Sequence, residues 1–316
     1  GASSNAIQPL GYSSEQSIFS ASVAQAYGRV LKGPPPVVYV PHWNAWGTAF
    51  GGVSFSDGNA ATGTNQLQAS TYGFAAGIDY HLSADTIFGF ALGGGGTNWQ
   101  LASIGGTGRS AALQTGVYAI TRNGPLYGAA AFGFGNNWFT TNRAALGDQL
   151  QANFGGQSYG GRVEGGYHIA ALPFGFTPYG ALQAQDFETP NYNETDLTGG
   201  GFGLSYASMS ATDVRTELGA RFEEITALGG MPLVLHGRLA WAHDFVSNPS
   251  LNAAFQALPG TNFTVYGAPI PHDSALTSVG AEMRLAPNWS VLAKFDGEFA
   301  GTAQTYAGTG TLKYTW

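Results

Sequence analysis

Two histidine–aspartate pairs are the residues best suited to acid–base chemistry in this 316-residue chain. His243 precedes Asp244, and His272 precedes Asp273. A carboxylate that orients an imidazole helps it to take a proton from water, which is a common first step of hydrolysis. Both pairs flank the segment 247–273, so one interpretation is a hydrolytic site carried by a loop.

A plainer interpretation is that these four side chains are ordinary polar residues beside a long loop. No third residue can be given a catalytic role from the sequence, and we therefore predict that the chain is not an enzyme and assign no catalytic residue. His236, His243 and His272 match no familiar metal-ligand spacing. The glycine run 93–96 lacks the Lys-Ser/Thr and the helix of a phosphate loop. We expect no metal and no cofactor.

Charged side chains are scarce, at 10% of the residues, and many occupy alternate positions within apolar segments. Val214, Leu218 and Phe222 alternate with arginines and glutamates, for example. A period of two places successive side chains on opposite faces of a sheet. We predict that the charged face lines a water-filled pore and compensates its own charges. Its predicted members are Arg162, Glu164, Arg215, Glu217, Arg221, Glu223, Arg238, Glu282, Arg284, Lys294, Asp296 and Glu298.

Segments of this kind recur from residue 43 to the last residue. The pattern predicts twelve strands, at 43–55, 70–82, 86–101, 110–122, 126–139, 154–171, 174–187, 206–225, 232–246, 274–286, 289–299 and 305–316. Short turns follow most even-numbered strands, and longer loops follow most odd-numbered ones, the longest from 247 to 273. We expect that longest loop to be irregular because of its prolines.

The predicted strands are best suited to a membrane barrel. The chain contains 48 glycines and 13% aromatic residues, and no apolar run is long enough for a transmembrane helix. A cylinder of twelve strands is too wide for side chains to fill, so the apolar face must point outward, where lipid can cover it. The predicted fold is an all-β, 12-stranded antiparallel transmembrane β-barrel.

Aromatic residues near the predicted strand ends suggest two interfacial girdles. One would contain Trp43, Tyr80, Tyr127, Trp289 and Trp316, and the other Trp99, Trp138, Phe187 and Phe245.

Composition also excludes several classes of function. The net charge of −7, without any Lys/Arg cluster, argues against a nucleic-acid partner. The absence of cysteine excludes disulfides and thiolate chemistry, and it suits passage through an oxidising periplasm. The first residues show no signal-peptide pattern, which suggests that any such peptide has been removed.

Residues 1–42 differ from the rest of the chain. They predict a tail, a helix over about 13–31 and a linker of three prolines, ahead of a barrel domain at 43–316. The helix is either an amphipathic surface helix or a slender helix threaded through the pore, and the sequence leaves both open. Its apolar face would carry Ile18, Phe19, Val23, Tyr27 and Val30.

Several short motifs resemble the translocator (β) domain of classical autotransporters, the type V secretion family. They are Trp46–Gly52, Gly73–Tyr80, Gly89–Gly93, Gly124–Ala129 and the closing Lys313–Trp316. The resemblance implies a twelve-stranded barrel in the outer membrane of a Gram-negative cell, with the helix inside the pore. It also implies an upstream passenger segment that is exported to the cell surface.

Further expectations about partners follow from the same resemblance. The barrel would be a monomer in outer-membrane lipid, inserted by the barrel-assembly machinery, which would read a C-terminal signal that includes Tyr314 and Trp316. Residues 1–42 contain no Asn-Asn pair, so the cleavage inside the pore that some family members perform is not predicted. A passive diffusion porin and a loop-borne outer-membrane hydrolase are the alternatives.

Overall fold

A computed structural model describes most of the chain from residue 42 onward. The described ranges are 42–59, 63–102, 106–171, 173–245, 250–258, 260–267 and 271–316. The predicted N-terminal tail and helix, and the proline linker up to residue 41, lie outside the described residues. Within the described part of the chain, no helix is long and apolar enough to cross a membrane.

The described residues form eighteen strands, twelve of them long. In chain order they are β1 (Trp43–Ser56), β2 (Leu67–His81), β3 (Thr86–Leu101), β4 (Thr107–Asn123), β5 (Leu126–Ala145), β6 (Asp148–Tyr167), β7 (Ile169–Ala171), β8 (Phe174–Thr189), β9 (Tyr192–Asn193), β10 (Thr195–Asp196), β11 (Leu204–Tyr206), β12 (Met209–Leu228), β13 (Met231–Asp244), β14 (Ser250–Phe255), β15 (Asn262–Tyr266), β16 (Asp273–Ala286), β17 (Trp289–Ala300) and β18 (Ala303–Thr315).

The twelve long strands form a closed cylinder. Each pairs antiparallel with the next long strand, and β6 pairs with β8 beyond the short β7. β1 closes the sheet against β18, from Asn44 opposite Thr315 to Ser56 opposite Ala303. Closure removes the sheet edges and satisfies the backbone hydrogen bonds without water. The predicted twelve-stranded antiparallel barrel is therefore confirmed.

The two ends of the cylinder differ in their connections. Short turns join β2 to β3, β4 to β5, β12 to β13 and β16 to β17, at the end where β1 begins and β18 finishes. This is the turn end. The opposite end, the loop end, carries the longer connections and two tight hairpins, between β17 and β18 and between β5 and β6. The β5–β6 hairpin has a two-residue turn. At that hairpin Leu146 and Gly147 both have positive φ, as a two-residue type I′ turn requires.

The β5–β6 hairpin corrects one prediction. Residues 140–153 were expected to form a long loop, but both strands continue, and Ala145 pairs with Asp148 next to the turn. The expectation failed because the polar side chains Thr140, Asn142 and Asn153 interrupt the apolar alternation. These side chains lie on the outer face, where Thr140 donates a hydrogen bond to Asn153 over 2.8 Å. Polar outer positions here place this hairpin beyond the apolar band.

The long connection 247–273 was predicted to be irregular, and this was wrong for its described part. β14 and β15 form a hairpin there, and β14 pairs with β11 from the preceding long connection. With β9 these strands form a separate sheet in the order β15-β14-β11-β9, which we call the small sheet. The prolines flank the two strands, so they do not interrupt the pairing.

Glycines on the inner face allow aromatic rings to lie flat across neighbouring strands. A side chain at Gly89 would overlap the Tyr118 ring, and one at Gly77 would overlap Trp46. Trp46 and Tyr118 belong to a buried cluster with Ala75 and Ala91. The aromatic rings thus occupy the space that the small residues leave on the concave face.

Candidate functional site

Contacts between distant strands identify the inner face of the barrel. Trp46 on β1 donates a hydrogen bond from Nε1 to the Tyr118 hydroxyl on β4 over 3.0 Å. Asp79 on β2 accepts a hydrogen bond from the same Trp46 nitrogen over 3.2 Å. Side chains three strands apart can meet only where the sheet curves toward them. On each strand, the alternate positions that include these residues therefore face the concave side, and we say that they have the inner parity. The positions between them have the outer parity and face the convex side.

Apolar side chains dominate the convex face. Val117, Leu218, Leu239 and Val279 are 54%, 60%, 58% and 63% exposed. An exposed apolar belt of this extent is unfavourable in water and is favoured by contact with hydrocarbon. The outer face is thus suited to lipid.

An ion-pair network occupies the inner face of β6, β12 and β13. Arg162 bridges Glu164, at 2.7 Å, and Glu217, at 2.9 Å. Arg221 contacts Glu164 at 2.8 Å, and Arg238 contacts Glu217 at 3.3 Å. Five predicted residues on three strands thus form one connected group, which we call the central network.

Two tyrosines complete the central network. Tyr127 donates to Glu164 over 2.8 Å and contacts Arg221, while Tyr179 donates to Glu217. The Arg221 guanidinium also lies over the Tyr179 ring, 3.9 Å from its centroid. Since Arg221 and Glu217 are almost fully buried, these partners replace water around their charges.

Other predicted residues form smaller groups on the same face. Arg215 makes a bidentate contact with Asp244, at 2.7 and 2.8 Å, and reaches Glu298 at 2.9 Å. Lys294 contacts Asp296 at 3.3 Å. His236 lies 3.8 Å from Glu282. Opposite charges therefore face each other along much of the wall, both within a strand and between strands.

The two remaining predicted residues are Arg284 and Glu223. Arg284 is exposed at the turn end, where it donates hydrogen bonds to the backbone oxygens of Ala286 and Pro287. Glu223 is buried on the inner face, and Arg122 is among its electrostatic neighbours.

The sequence did not predict several residues that lie on the inner face. Tyr127, Tyr179, Asp79 and Arg122 were not assigned to the inner face. Tyr179 shares the parity of Gln183 and Gln185 on β8, so polar neighbours could have revealed it. Tyr127 offered no such signal, because the inner positions near it on β5 are alanines.

The aromatic girdles are partly as predicted. At the turn end, Trp43, Trp289 and Trp316 are exposed, and Tyr80 packs beside Trp43 on the outer face. Tyr127 was placed wrongly, since it lies inside the barrel. At the loop end Trp138 and Phe245 are exposed on the convex side.

Trp99 and Phe187 have the inner parity of β3 and β8, so placing them in a girdle was wrong. Both pack against Phe139, at centroid distances of 6.1 and 5.8 Å. Nearness to a strand end predicted an interfacial position, whereas parity decides which face a side chain occupies.

In the structure, the two histidines do not pair with the aspartates that follow them in the sequence. His243 contacts Asp273 rather than its neighbour, with 2.9 Å between Nδ1 and Oδ1, and both lie on the convex face. Trp241 donates to the same Asp273 oxygen over 3.0 Å. His272 instead contacts the backbone oxygen of Asp244. His236 lies on the inner face, so the structure does not bring the three histidines together.

Two solved structures with similar folds are autotransporter barrels. The translocator domain of NalP from Neisseria meningitidis has a TM-score of 0.71 and 14% identity, with 99% of each chain covered. The β-domain of Bordetella BrkA has a TM-score of 0.67 and 16% identity, covering 86% of this chain and 99% of that one. At these identities the likeness concerns the fold.

The sequence itself matches the family described as Autotransporter beta-domain over residues 45–296. It is also 23% identical, over 271 residues and 82% of its length, to an extracellular serine protease of Serratia marcescens. This chain spans about a quarter of the length of that relative (25%). The chain belongs to the autotransporter beta-domain family and is a translocator barrel of the Gram-negative outer membrane.

Proposed function

We propose that the barrel exports an upstream polypeptide through its interior, and that the inner wall is adapted to let an unfolded chain pass. An apolar wall would hold the hydrophobic side chains of such a segment. Isolated charges would hold its charged side chains. The observation that supports this proposal is the self-pairing of the central network, because its charges already have partners.

We also propose how residues 1–42 contribute. Their predicted helix would lie in the pore, with Ile18, Phe19, Val23, Tyr27 and Val30 against the barrel wall, and the proline linker would lead to β1 at the turn end. This arrangement would close the pore to ions after export. Residues 43–316 would form the barrel domain.

The proposed partners follow from the surface. The apolar convex face would contact outer-membrane lipid as a monomer. Tyr314 and Trp316, whose rings stack 5.7 Å apart at the end of the last strand, would form the signal for the barrel-assembly machinery. We propose no catalytic residue in the wall and no use of a nucleotide, in keeping with the self-pairing of the central network.

Export can be tested with a reporter polypeptide joined ahead of Gly1. We expect the reporter to reach the cell surface, where external protease removes it from intact cells. A matched control carries the same reporter on a barrel that lacks β18, which cannot close the sheet. A reporter retained in the periplasm by the intact barrel would contradict the export proposal.

Pore closure has a separate test in planar-bilayer recordings. Deletion of residues 1–36 should convert a nearly closed channel into a conducting one. An equally large conductance in the full chain would contradict the plug and favour a passive diffusion porin.

A further inference from the structure

The connection between β8 and β12 folds against the inner face of the β5–β6 hairpin. Tyr192 stacks on Phe154, with 3.9 Å between ring centroids, and Tyr206 stacks on Tyr192 at 4.7 Å. Phe154 has the inner parity of β6, and it also stacks on Phe139 of β5. The connection is therefore held on the concave side of the wall.

A bidentate ion pair reinforces this contact. Arg143 on β5 donates from Nε and Nη2 to the two carboxylate oxygens of Glu194, each over 2.6 Å. The backbone nitrogen of Leu204 also donates to Glu194, over 2.9 Å, which ties the small sheet to the same carboxylate. Glu194 is buried, and two parallel charge-assisted hydrogen bonds fix its position.

Asp148, at the start of β6, makes a second attachment. Its carboxylate accepts hydrogen bonds from the backbone nitrogens of Gly200, at 3.0 Å, and Phe202, at 3.1 Å. Leu150 and Ala152, which follow it on the inner face of β6, are almost fully buried. The connection thus covers the inner surface of this hairpin near the loop end.

The small sheet extends from these attachments. β11 pairs with β9 on one side and with β14 on the other, and β15 lies at the edge. The side-chain attachments lie on the concave side of β5 and β6, and β10 pairs with the backbone of β6. From this placement we expect the small sheet to project over the opening. We expect an opening covered in this way to obstruct a polypeptide that leaves along the barrel axis.

We propose that the small sheet is a lid, latched to the β5–β6 hairpin by Arg143 and Glu194, which must swing aside during export. The idea rests on the proposed function, since it concerns the exit of the same polypeptide. The lid would leave the hairpin when the Arg143–Glu194 contact and the Tyr192–Phe154 stack separate. It would close again after the polypeptide has passed.

A disulfide can lock the lid, because the native chain has no cysteine. Thr195 on β10 lies directly opposite Gln151 on β6, and directly opposed residues of antiparallel strands have the Cα separation that a disulfide needs. In the variant Gln151→Cys/Thr195→Cys, we expect at least tenfold less surface reporter under oxidising conditions. Reductant should restore it.

The matched control places the disulfide within the barrel wall. Thr140 lies opposite Asn153 on the outer face of the same hairpin, so Thr140→Cys/Asn153→Cys should export normally in both conditions. Heat-modifiable migration on gels confirms that each variant has folded. Equal export by the locked and control variants would overturn the lid proposal.

A second experiment tests the lid without measuring export. A single cysteine at Asn137, on the inner face, is labelled with a bulky water-soluble maleimide added outside the cell, and Asn142→Cys, on the outer face beyond the apolar band, is the control. Opening the latch with Glu194→Gln should raise the labelling rate at position 137 several-fold and leave the rate at position 142 unchanged. If latch opening leaves the rate at position 137 unchanged, there is no lid. If the reporter is never exported while this labelling responds, the export proposal alone fails.

Discussion

Individual charges inside this barrel depend on their partners. Glu217 contacts Arg162 and Arg238 and accepts a hydrogen bond from Tyr179, and its side chain is 3% exposed. Burial makes each ion costly unless its partner remains in place. The stability of the wall therefore depends on keeping these groups together.

The variant Glu217→Gln tests this dependence. It leaves two arginines facing a neutral amide, and we expect it to reduce the free energy of unfolding by about 3–5 kcal/mol, as measured by denaturant unfolding in lipid vesicles. Glu188 is exposed on the outer face of β8, so Glu188→Gln is the matched control and should change stability by less than about 0.5 kcal/mol. Equal effects of the two variants would show that the central network contributes nothing.

Asp196 in the β8–β12 connection gives a pH-dependent prediction. Backbone hydrogen bonds from Gly201 and Gly199 lower its pKa to about 2. An unfolded aspartate has a pKa of about 3.9, so the carboxylate stabilises the loop at neutral pH. That stabilisation is lost as the pH falls from about 4 to 2.

NMR can follow this transition through the amide signals of Gly199 and Gly201. Both signals should titrate together with a midpoint near the folded pKa. In Asp196→Asn the transition should be absent. A midpoint near 4 would mean that these hydrogen bonds do not form in solution.

Strand alternation is the property that the sequence predicted best at the scale of elements. All twelve charged residues proposed for the inner face have the inner parity, because each lies on a strand whose opposite face is strongly apolar. Strands with little charge were harder: β5 has alanines and glycines on both faces, so Tyr127 was assigned to the wrong side. Local pattern cannot define the face of a residue whose neighbours on both faces are small and neutral.

Contacts between distant segments were beyond the reach of the sequence. Arg143 and Glu194 are separated by fifty-one residues, and nothing in either local sequence signals the pair. The small sheet joins two separate connections, so its strands depend on closure of the barrel for their proximity. The histidine–aspartate pairing failed for the same reason, since His243 meets Asp273 through the β13–β16 ladder.

One strand provides a sharp test of the membrane-facing side. On β4, Arg109 lies near the loop end of the outer face, and Val117 lies eight positions closer to the turn end, within the apolar band. Val117→Arg should cost about 2–4 kcal/mol of folding free energy, because the charge would lie near the middle of the bilayer.

Arg109→Ala is the matched comparison and should change stability by less than about 1 kcal/mol, since this position lies near the interface. Both variants are measured by reversible unfolding in lipid vesicles. A fully tolerated arginine at position 117 would mean that β4 does not face hydrocarbon there.

For the whole molecule, two opposite environments are separated by a single layer of sheet. Lipid covers the apolar outer face, and the inner face keeps its charges paired around the path of the exported chain. The proposed lid and the proposed pore helix would both act on that path, the lid at the loop end. Closure between β1 and β18 makes this separation complete.

β18 offers the most direct measurement, because its residues near the closure are small and mostly uncharged. Single spin labels at residues 305–312 should report oxygen from the lipid at even positions and shielding from it at odd positions, with a period of two. Thr309 and Thr311 would face inward, and Gly310 and Leu312 would face lipid. Oxygen contact at the odd positions, or no alternation, would contradict a barrel with lipid outside and a polar interior.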